Sequence, residues 1–414
     1  VYLPFNLYLY EPLQNIFSKV ILYDYLKRRT EIGLKAVNQE IIELVRKENP
    51  KYVIWTSWQY DIQESTLETI RQESTVIGWF FDDDWRFDDY SKWWIPYLDY
   101  CVTNAIEAVP EYIEFNARVI QTIPNTGVAI DRDWSNIEEK YDVSFVGSRY
   151  CADREQYINE LKKKNILVHL FGDGWGGYVS FEEMIDVFKT SKINLNFSKD
   201  VANQEKLQIK GRVFQVCMAG GFMLTEYAPG IEKYFDIDKE IVCFRNEEEM
   251  LHKIGYYLEH ETERHAVAHA GWKRAIREYT SIHMVSKVFQ EIEQYLPARD
   301  DPKPTPEKLK MPIRIRRIRS LYHFQWARAL LEENCKENLW KDALALSLSY
   351  NPLTWFGPGY YYVVSFLPSF MRSFVLEIYG DGEKYHKALF FQLGSIRYAR
   401  KMKRCFTKRL WGSI

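Results

Sequence analysis

No stretch of this sequence holds the roughly 18 consecutive apolar residues that a membrane-spanning helix needs, and no basic start with a small-residue cleavage site marks a secretory leader. Cysteine is sparse and scattered. The six residues at 101, 151, 217, 243, 335 and 405 form no Cys-x-x-Cys pair, which argues against a disulfide frame or a zinc site and for reduced thiols in the cytoplasm. Internal repeats and low-complexity runs are missing too, so a solenoid is excluded. The chain opens on Val1 without a Met, from which a few missing residues are expected.

What is present suits a folded protein of two or three domains: 414 residues, 46% hydrophobic and 27% charged. The net charge of −2 conceals a segregation. Residues 301–414 carry 20 Lys+Arg against 9 Asp+Glu, a charge of +11, which leaves −13 for residues 1–300. Such asymmetry predicts an anionic partner for the tail.

Apolar strands alternate with helical patterns through the first 300 residues, as in parallel sheets covered on both faces. Strands are expected at Lys19–Asp24, Tyr52–Thr56, Val76–Phe81, Tyr100–Thr103 and Arg118–Gln121, then at Asp142–Val146, Ile166–Phe171, Ile193–Phe197, Phe222–Thr225 and Glu240–Phe244. Helices are expected over Leu34–Arg46, Ser65–Gln72 and Phe181–Thr190, with three more ending near Leu296. The expected domains are 1–140, an acceptor-side Rossmann-like unit with a shortened start, and 141–296, a second such unit facing it across a ligand cleft. A Pro-rich linker at 297–308 and a basic helical domain at 309–414 complete the chain.

One stretch carries the clearest chemistry, Gln208 to Tyr227, which reads as a basic loop, a helix, a double glycine and a buried strand. Lys210 and Arg212 stand where the helix starts, so that side-chain charge, backbone N–H groups and the helix dipole all favour an anion such as phosphate. Gly220 and Gly221 then allow a tight turn and a close ligand approach. Gly147-Ser148 and Gly172-Asp173-Gly174 are either ordinary strand-to-helix turns or further backbone cradles for phosphate and base. Glu226, at the end of the last strand of the stretch, is either a sugar or ribose contact or simply a polar strand end.

Asp82-Asp83-Asp84 follows an expected strand and has three readings: a general base for an acceptor hydroxyl, a Mg²⁺ or Mn²⁺ site, or a helix cap. His260, His265 and His269 have the spacing of metal ligands on a helix, but without a nearby Cys they read as a solvated face. Trp55, Trp58, Trp79 and Trp85 offer stacking surfaces for sugars, although most such rings belong to cores.

From residue 194 to 282 the order Asn-Leu-Asn-Phe-Ser, Lys-x-Arg-x-Phe-Gln, Ala-Gly-Gly-Phe-Met-Leu-Thr-Glu, Pro-Gly-Ile-Glu-Lys-Tyr-Phe and Ala-x-Ala-Gly-Trp-Lys-Arg-Ala resembles the donor-binding half of CgeB-like glycosyltransferases of the GT-B fold. The resemblance implies an α/β protein of two Rossmann-like domains, here followed by a helical region. It also implies a nucleotide-sugar donor with its diphosphate near Arg212 and the helix that follows, and no metal cofactor. Gln215 departs from the family's ribose-binding Glu, yet an amide still hydrogen-bonds a diol. Leu207 and Gln215 stand where retaining GT-B enzymes often carry two glutamates, which leaves inverting displacement preferred. The expected activity is therefore glycosyl transfer to a glycan, lipid-linked or protein hydroxyl, with Asp83 or Asp82 as base and no nucleic acid as partner. A cytoplasmic location is expected, at the inner face of the membrane if Arg314, Arg316, Arg317, Arg319 and the helix expected over Arg397–Arg409 lie against anionic lipid. The alternatives are a degenerate binding or scaffold protein and a nucleotide-sugar epimerase.

Overall fold

The computed structural model describes residues 6–56, 60–123, 127–149, 154–199, 207–295, 309–332 and 339–351. Among these, a short helix α1 (Glu11–Ile16) precedes α2 (Tyr25–Ile32), α3 (Leu34–Glu48), β1 (Tyr52–Trp55), α4 (Glu64–Arg71), β2 (Thr75–Phe80), α5 (Asp83–Arg86), β3 (Tyr100–Thr103), α6 (Val109–Glu114) and β4 (Val119–Gln121). A second alternation follows with β5 (Tyr141–Val146), α7 (Arg154–Lys163), β6 (Val168–Phe171), α8 (Phe181–Thr190), β7 (Ser191–Asn196), α9 (Gly211–Met218), β8 (Met223–Glu226) and β9 (Val242–Phe244). Helices α10 (Glu247–Glu259), α11 (Glu261–Glu278), α12 (Ser281–Gln294), α13 (Ile313–Glu332) and α14 (Leu339–Tyr350) complete it.

The strands form two parallel sheets, of order β1-β2-β3-β4 and β6-β5-β7-β8-β9. This is the element content expected of the GT-B class, two parallel α/β sheets followed by a mostly helical C-terminal region. Strands buried on both faces need continuous apolar side chains, which is why Tyr-Cys-Val-Thr of β3 is buried throughout. Local chemistry fixes the helix ends. Ser180 and Glu183 form a reciprocal capping box at the start of α8. Asn49 closes α3 in the left-handed conformation that an Asn tolerates better than other non-glycine residues.

By contacts the chain divides into a five-stranded unit, residues 1–22 with 122–296, and a four-stranded unit, residues 23–121 with 297–414. The two interleave along the sequence, whereas the expected domains follow one another. The expected linker at 297–308 lies outside the described residues.

Lys19–Asp24 is not a strand. It joins α1 of one unit to α2 of the other, with Ile21 and Leu22 exposed, so its apolar residues lie where no sheet edge receives them.

The basic helix α13 also departs from expectation. Arg319 is 0% exposed, paired with Glu64 and lying 4.6 Å from the Trp94 ring and 5.0 Å from that of Tyr60. Arg29 of α2 bonds Asp61 at 2.5 Å, Tyr322 of α13 donates to the same carboxylate oxygen at 2.8 Å, and Trp326 stacks on the Arg29 guanidinium. Ser320 and Ser347 donate to each other's backbone carbonyls at 2.8 and 2.7 Å, which sets α13 close against α14. Thus Arg319 cannot lie against lipid headgroups. Arg314, Arg316 and Arg317 of the same helix are exposed. The basic run 397–409 lies outside the described residues.

Candidate anion site

In the five-stranded unit the order of strands reverses at β5, with β6 on one side and β7 on the other. Carboxyl ends of parallel strands at such a reversal open a crevice to which ligands go. Gly147-Ser148 follows β5, the loop Gly172–Gly177 follows β6, and α9 starts beyond β7 with Lys210 as its N-cap and Arg212 in its first turn. The two glycine turns are stitched together. The Gly147 amide donates to the Phe171 carbonyl at 2.8 Å, and the Arg149 amide donates to that of Asp173 at 2.8 Å.

Close approach explains the glycines. A Cβ on Gly172, whose φ is +110°, would lie 2.6 Å from the Gly147 carbonyl oxygen. A Cβ on Gly147 would lie 2.7 Å from the Phe145 ring and 3.2 Å from Nη1 of Arg212. Arg212 is therefore beside the β5 turn, its guanidinium 5.9 Å from the Phe145 ring centroid. Gly174, with φ +83°, bends the β6 loop. A cavity of about 310 Å³ beside that loop is lined by Arg149, Glu155, Asn159, Lys162 and Trp175, with Glu155 paired to Arg149. Lys210 Nζ bonds the Gln208 side chain.

Gly220 and Gly221 are not part of this site. They connect the end of α9 to the start of β8, so they lie at the amino ends of the strands, opposite the ligand edge. The space they leave is taken by protein: Arg132 and Trp134 crowd Gly220, while the Phe188 carbonyl and the Asn194 amide crowd Gly221. Glu226 ends β8 on the ligand edge, yet it is 4% exposed and already accepts from the Ser198 amide at 2.8 Å and the Tyr157 hydroxyl at 3.2 Å. Gln215 sits one turn into α9, buried, with its Cγ close to Gly127.

In the four-stranded unit, Asp82 and Asp83 follow β2 at the carboxyl edge of the sheet. Asp82 has φ 60° and ψ 32°, a left-handed conformation that strains most residues, and is half-buried. Asp83 is turned inward, only 2% exposed. Its oxygens accept from the Ser91 hydroxyl, from Thr103 at 2.7 Å and from Tyr112 at 2.8 Å. Burial pushes its carboxyl above the ordinary value, against the lowering effect of those three hydroxyls and Arg86. A carboxylate enclosed in this way is a hub of the sheet edge and is not placed to meet an acceptor.

The three histidines do not gather into a site. His265 bonds Glu139 at 2.9 Å, His260 faces the Tyr256 carbonyl, and His269 packs on Trp134. Trp55 and Trp79 are core residues, while Trp58 and the Trp85 side chain lie outside the described residues. Arg154 was missed in the sequence. It opens α7, is 7% exposed, and donates through Nη1 to the Ser148 carbonyl at 2.8 Å, with its guanidinium 5.5 Å from the Phe145 ring. A basic residue at the start of the helical pattern after a strand-and-glycine turn is the signal that could have found it.

Residues 149–290 match the family model described as glycosyl transferase-like, about a third of the chain. No curated protein matches the sequence. Among solved structures, a variant of S. aureus TarM in complex with Fondaparinux, alpha-GlcNAc-glycerol and UDP is similar at 10% identity and a TM-score of 0.45, over 61% of this chain and 58% of that one. The pneumococcal O-GlcNAc transferase GtfA in complex with UDP and GlcNAc is similar at 9% identity and a TM-score of 0.43, over 61% of this chain and 59% of that one. Anabaena HepE in complex with UDP follows at 7% identity and a TM-score of 0.41, over 63% of this chain and 82% of that one. This chain thus spans less than two thirds of TarM and of GtfA. Among the described residues, no helix is long and apolar enough to cross a membrane.

Proposed function

We propose that the chain is a glycosyltransferase that moves a sugar from a nucleotide diphosphate sugar to a hydroxyl of a glycan, lipid-linked or protein acceptor. The observation that carries this reading is the meeting of two glycine turns with Arg212 and the start of α9 at the β5/β7 reversal, around which residues 149–290 match a glycosyl transferase-like family. The ordered motifs over 194–282 favour the CgeB-like branch.

In such a transfer the bond from the sugar to the phosphate oxygen breaks and negative charge grows on the departing diphosphate. Arg212, Lys210 and the first amides of α9 are the groups proposed to hold that charge, a role that needs no resident metal. The acceptor oxygen attacks the anomeric carbon and gives up its proton. Asp82, half-buried and with a left-handed backbone, is the proposed base, with Asp83 anchoring the turn behind it. Gln215 is proposed for the ribose hydroxyls, and the cavity beside Trp175 for the nucleoside.

Arg212→Ala should weaken binding of the nucleoside diphosphate by about 1.5–3 kcal/mol, the worth of a charge-assisted hydrogen bond, while leaving the nucleoside nearly unaffected. Titration calorimetry with UDP, GDP, CDP and dTDP and their nucleosides measures both. Equal losses would remove Arg212 from the phosphate site.

A second reading is a degenerate member that binds the nucleotide without turnover. It is favoured by the enclosure of both Asp83 and Glu226 in structural hydrogen bonds. Diphosphate binding with no product from any donor tested would support it. Interconversion of the donor sugar without an acceptor would point to an epimerase.

A further inference from the structure

Gly147-Ser148 follows β5, and Arg154, the first residue of α7, reaches back to the Ser148 carbonyl at 2.8 Å. Such a contact fixes the Ser148–Arg149 peptide, whose amide donates on to the Asp173 carbonyl at 2.8 Å, so the end of the Gly147–Ser148 turn is held from both sides. Arg154 has a second relation to the site. Its guanidinium and that of Arg212 lie 5.5 and 5.9 Å from the centroid of one ring, Phe145, so the two charges are no further apart than those distances together.

Arg154 is 7% exposed and Arg212 half-buried, so both guanidinium groups stand at the end of the buried strand β5 beside the Gly147 turn, where positive charge favours an anion. Phe145 spaces them: its ring tip lies under Gly147, where a Cβ would approach it to 2.7 Å. A larger residue at 147 would push the ring away and separate the turn from both arginines.

We propose that Arg154 is a positioning residue for the donor diphosphate, holding the Gly147–Ser148 turn in the conformation that binds phosphate and adding a second positive charge behind it. This inference rests on the donor reading given above. In it, Arg212 meets the diphosphate directly while Arg154 acts through the turn. The two arginines differ in what replaces them. At a carbonyl-holding, ring-stacked position Lys keeps the charge but loses the planar fork.

The test is calorimetric titration of the full chain with whichever of UDP, GDP, CDP and dTDP binds it best, and with the matching nucleoside. Arg154→Met should lose about tenfold or more in diphosphate affinity, with nucleoside affinity within about twofold, as expected when a charge-assisted contact is removed from the phosphate end alone. Methylguanidinium added to Arg154→Ala should restore part of the diphosphate affinity and leave nucleoside binding as it was. If Arg154→Met does not fold, Arg154→Lys carries the test, and its diphosphate affinity should fall while its nucleoside affinity holds. Unchanged diphosphate binding, or equal loss for both ligands, would overturn the role of Arg154 and leave the donor reading standing. Failure of all four diphosphates to bind the unaltered chain would overturn the donor reading itself, and this role with it.

Discussion

Asp82 and Asp83 are neighbours in sequence with opposite surroundings. The backbone of Asp82 is left-handed and its side chain half-buried, whereas Asp83 takes three hydroxyl donors inside the sheet edge. Their substitutions should therefore separate. Asp82→Asn should cut turnover by about a hundredfold or more with donor affinity kept, the behaviour of a lost general base. Asp83→Leu should instead lower the thermal midpoint, at a cost of about 1–3 kcal/mol for each hydroxyl left without an acceptor. Full turnover in Asp82→Asn would remove it from the chemistry. Three consecutive aspartates announce a functional or capping turn, but sequence does not say which of them faces inward. That depends on Ser91, Thr103 and Tyr112, which reach Asp83 from 8, 20 and 29 residues away. Arg154 was hidden for the same reason, since its value lies in a carbonyl six residues back.

Most of the strands and helices were legible because parallel strands are apolar throughout and the covering helices are amphipathic. What sequence could not supply was the end of the sheet at which a turn lies. Gly220-Gly221 has the composition of a ligand-hugging loop, but it follows a helix and precedes a strand, whereas Gly147 and Gly172 follow strands and reach the ligand edge. Helix α13 shows the other limit. Its arginines suggest a solvated or lipid-facing surface, but one helical turn carries both Arg319 and His323 into the core. His323 is 0% exposed and stacks on Tyr350, and burial, with Arg319 and Arg29 nearby, pushes its pKa down to about 3. The folded chain thus keeps this imidazole neutral where the unfolded chain protonates it, below about pH 6.5. Between those values the unfolded state binds the extra proton, so stability falls as pH falls, by up to about 1.4 kcal/mol per pH unit from this residue. Denaturant unfolding from pH 7 to 4.5 should show that slope reduced in His323→Phe, which keeps the ring stack. An unchanged slope would assign the acid sensitivity to other groups.

At the scale of the molecule, the excess of +11 in residues 301–414 is divided between two uses. Arg319 serves the interior of the four-stranded unit, and Arg314 pairs with Asp89 at its surface. Arg316 bonds the Tyr350 carbonyl, and exposed Arg317 together with the basic run 397–409 would meet an anionic partner. If the acceptor is lipid-linked, the full chain should sediment with anionic vesicles and not with neutral ones, and should be released as salt shortens the reach of attraction below about 8–10 Å. Replacing Lys401, Lys403, Arg404, Lys408 and Arg409 with Ser should abolish that binding. Binding that ignores lipid charge, or survives the replacement, would refute the membrane role. A simple truncation before α13 is the wrong test, because it would strip the four-stranded unit of core residues.

Because α13 supplies core residues to the four-stranded unit, the order of synthesis matters for how the chain is made. Synthesis proceeds from the amino end, and domains generally fold as they emerge. The five-stranded unit has all its strands and helices once residue 296 has left the ribosome. The four-stranded unit has its strands earlier, by residue 121, and yet finishes later. Arg29 and Asp61 are translated long before Tyr322, which is 293 and 261 residues downstream of them. Until α13 arrives, a charged pair destined for the interior waits beside an uncovered apolar face, while the other unit folds in the middle of the same polypeptide. The first sheet to be translated thus belongs to the last unit to be completed.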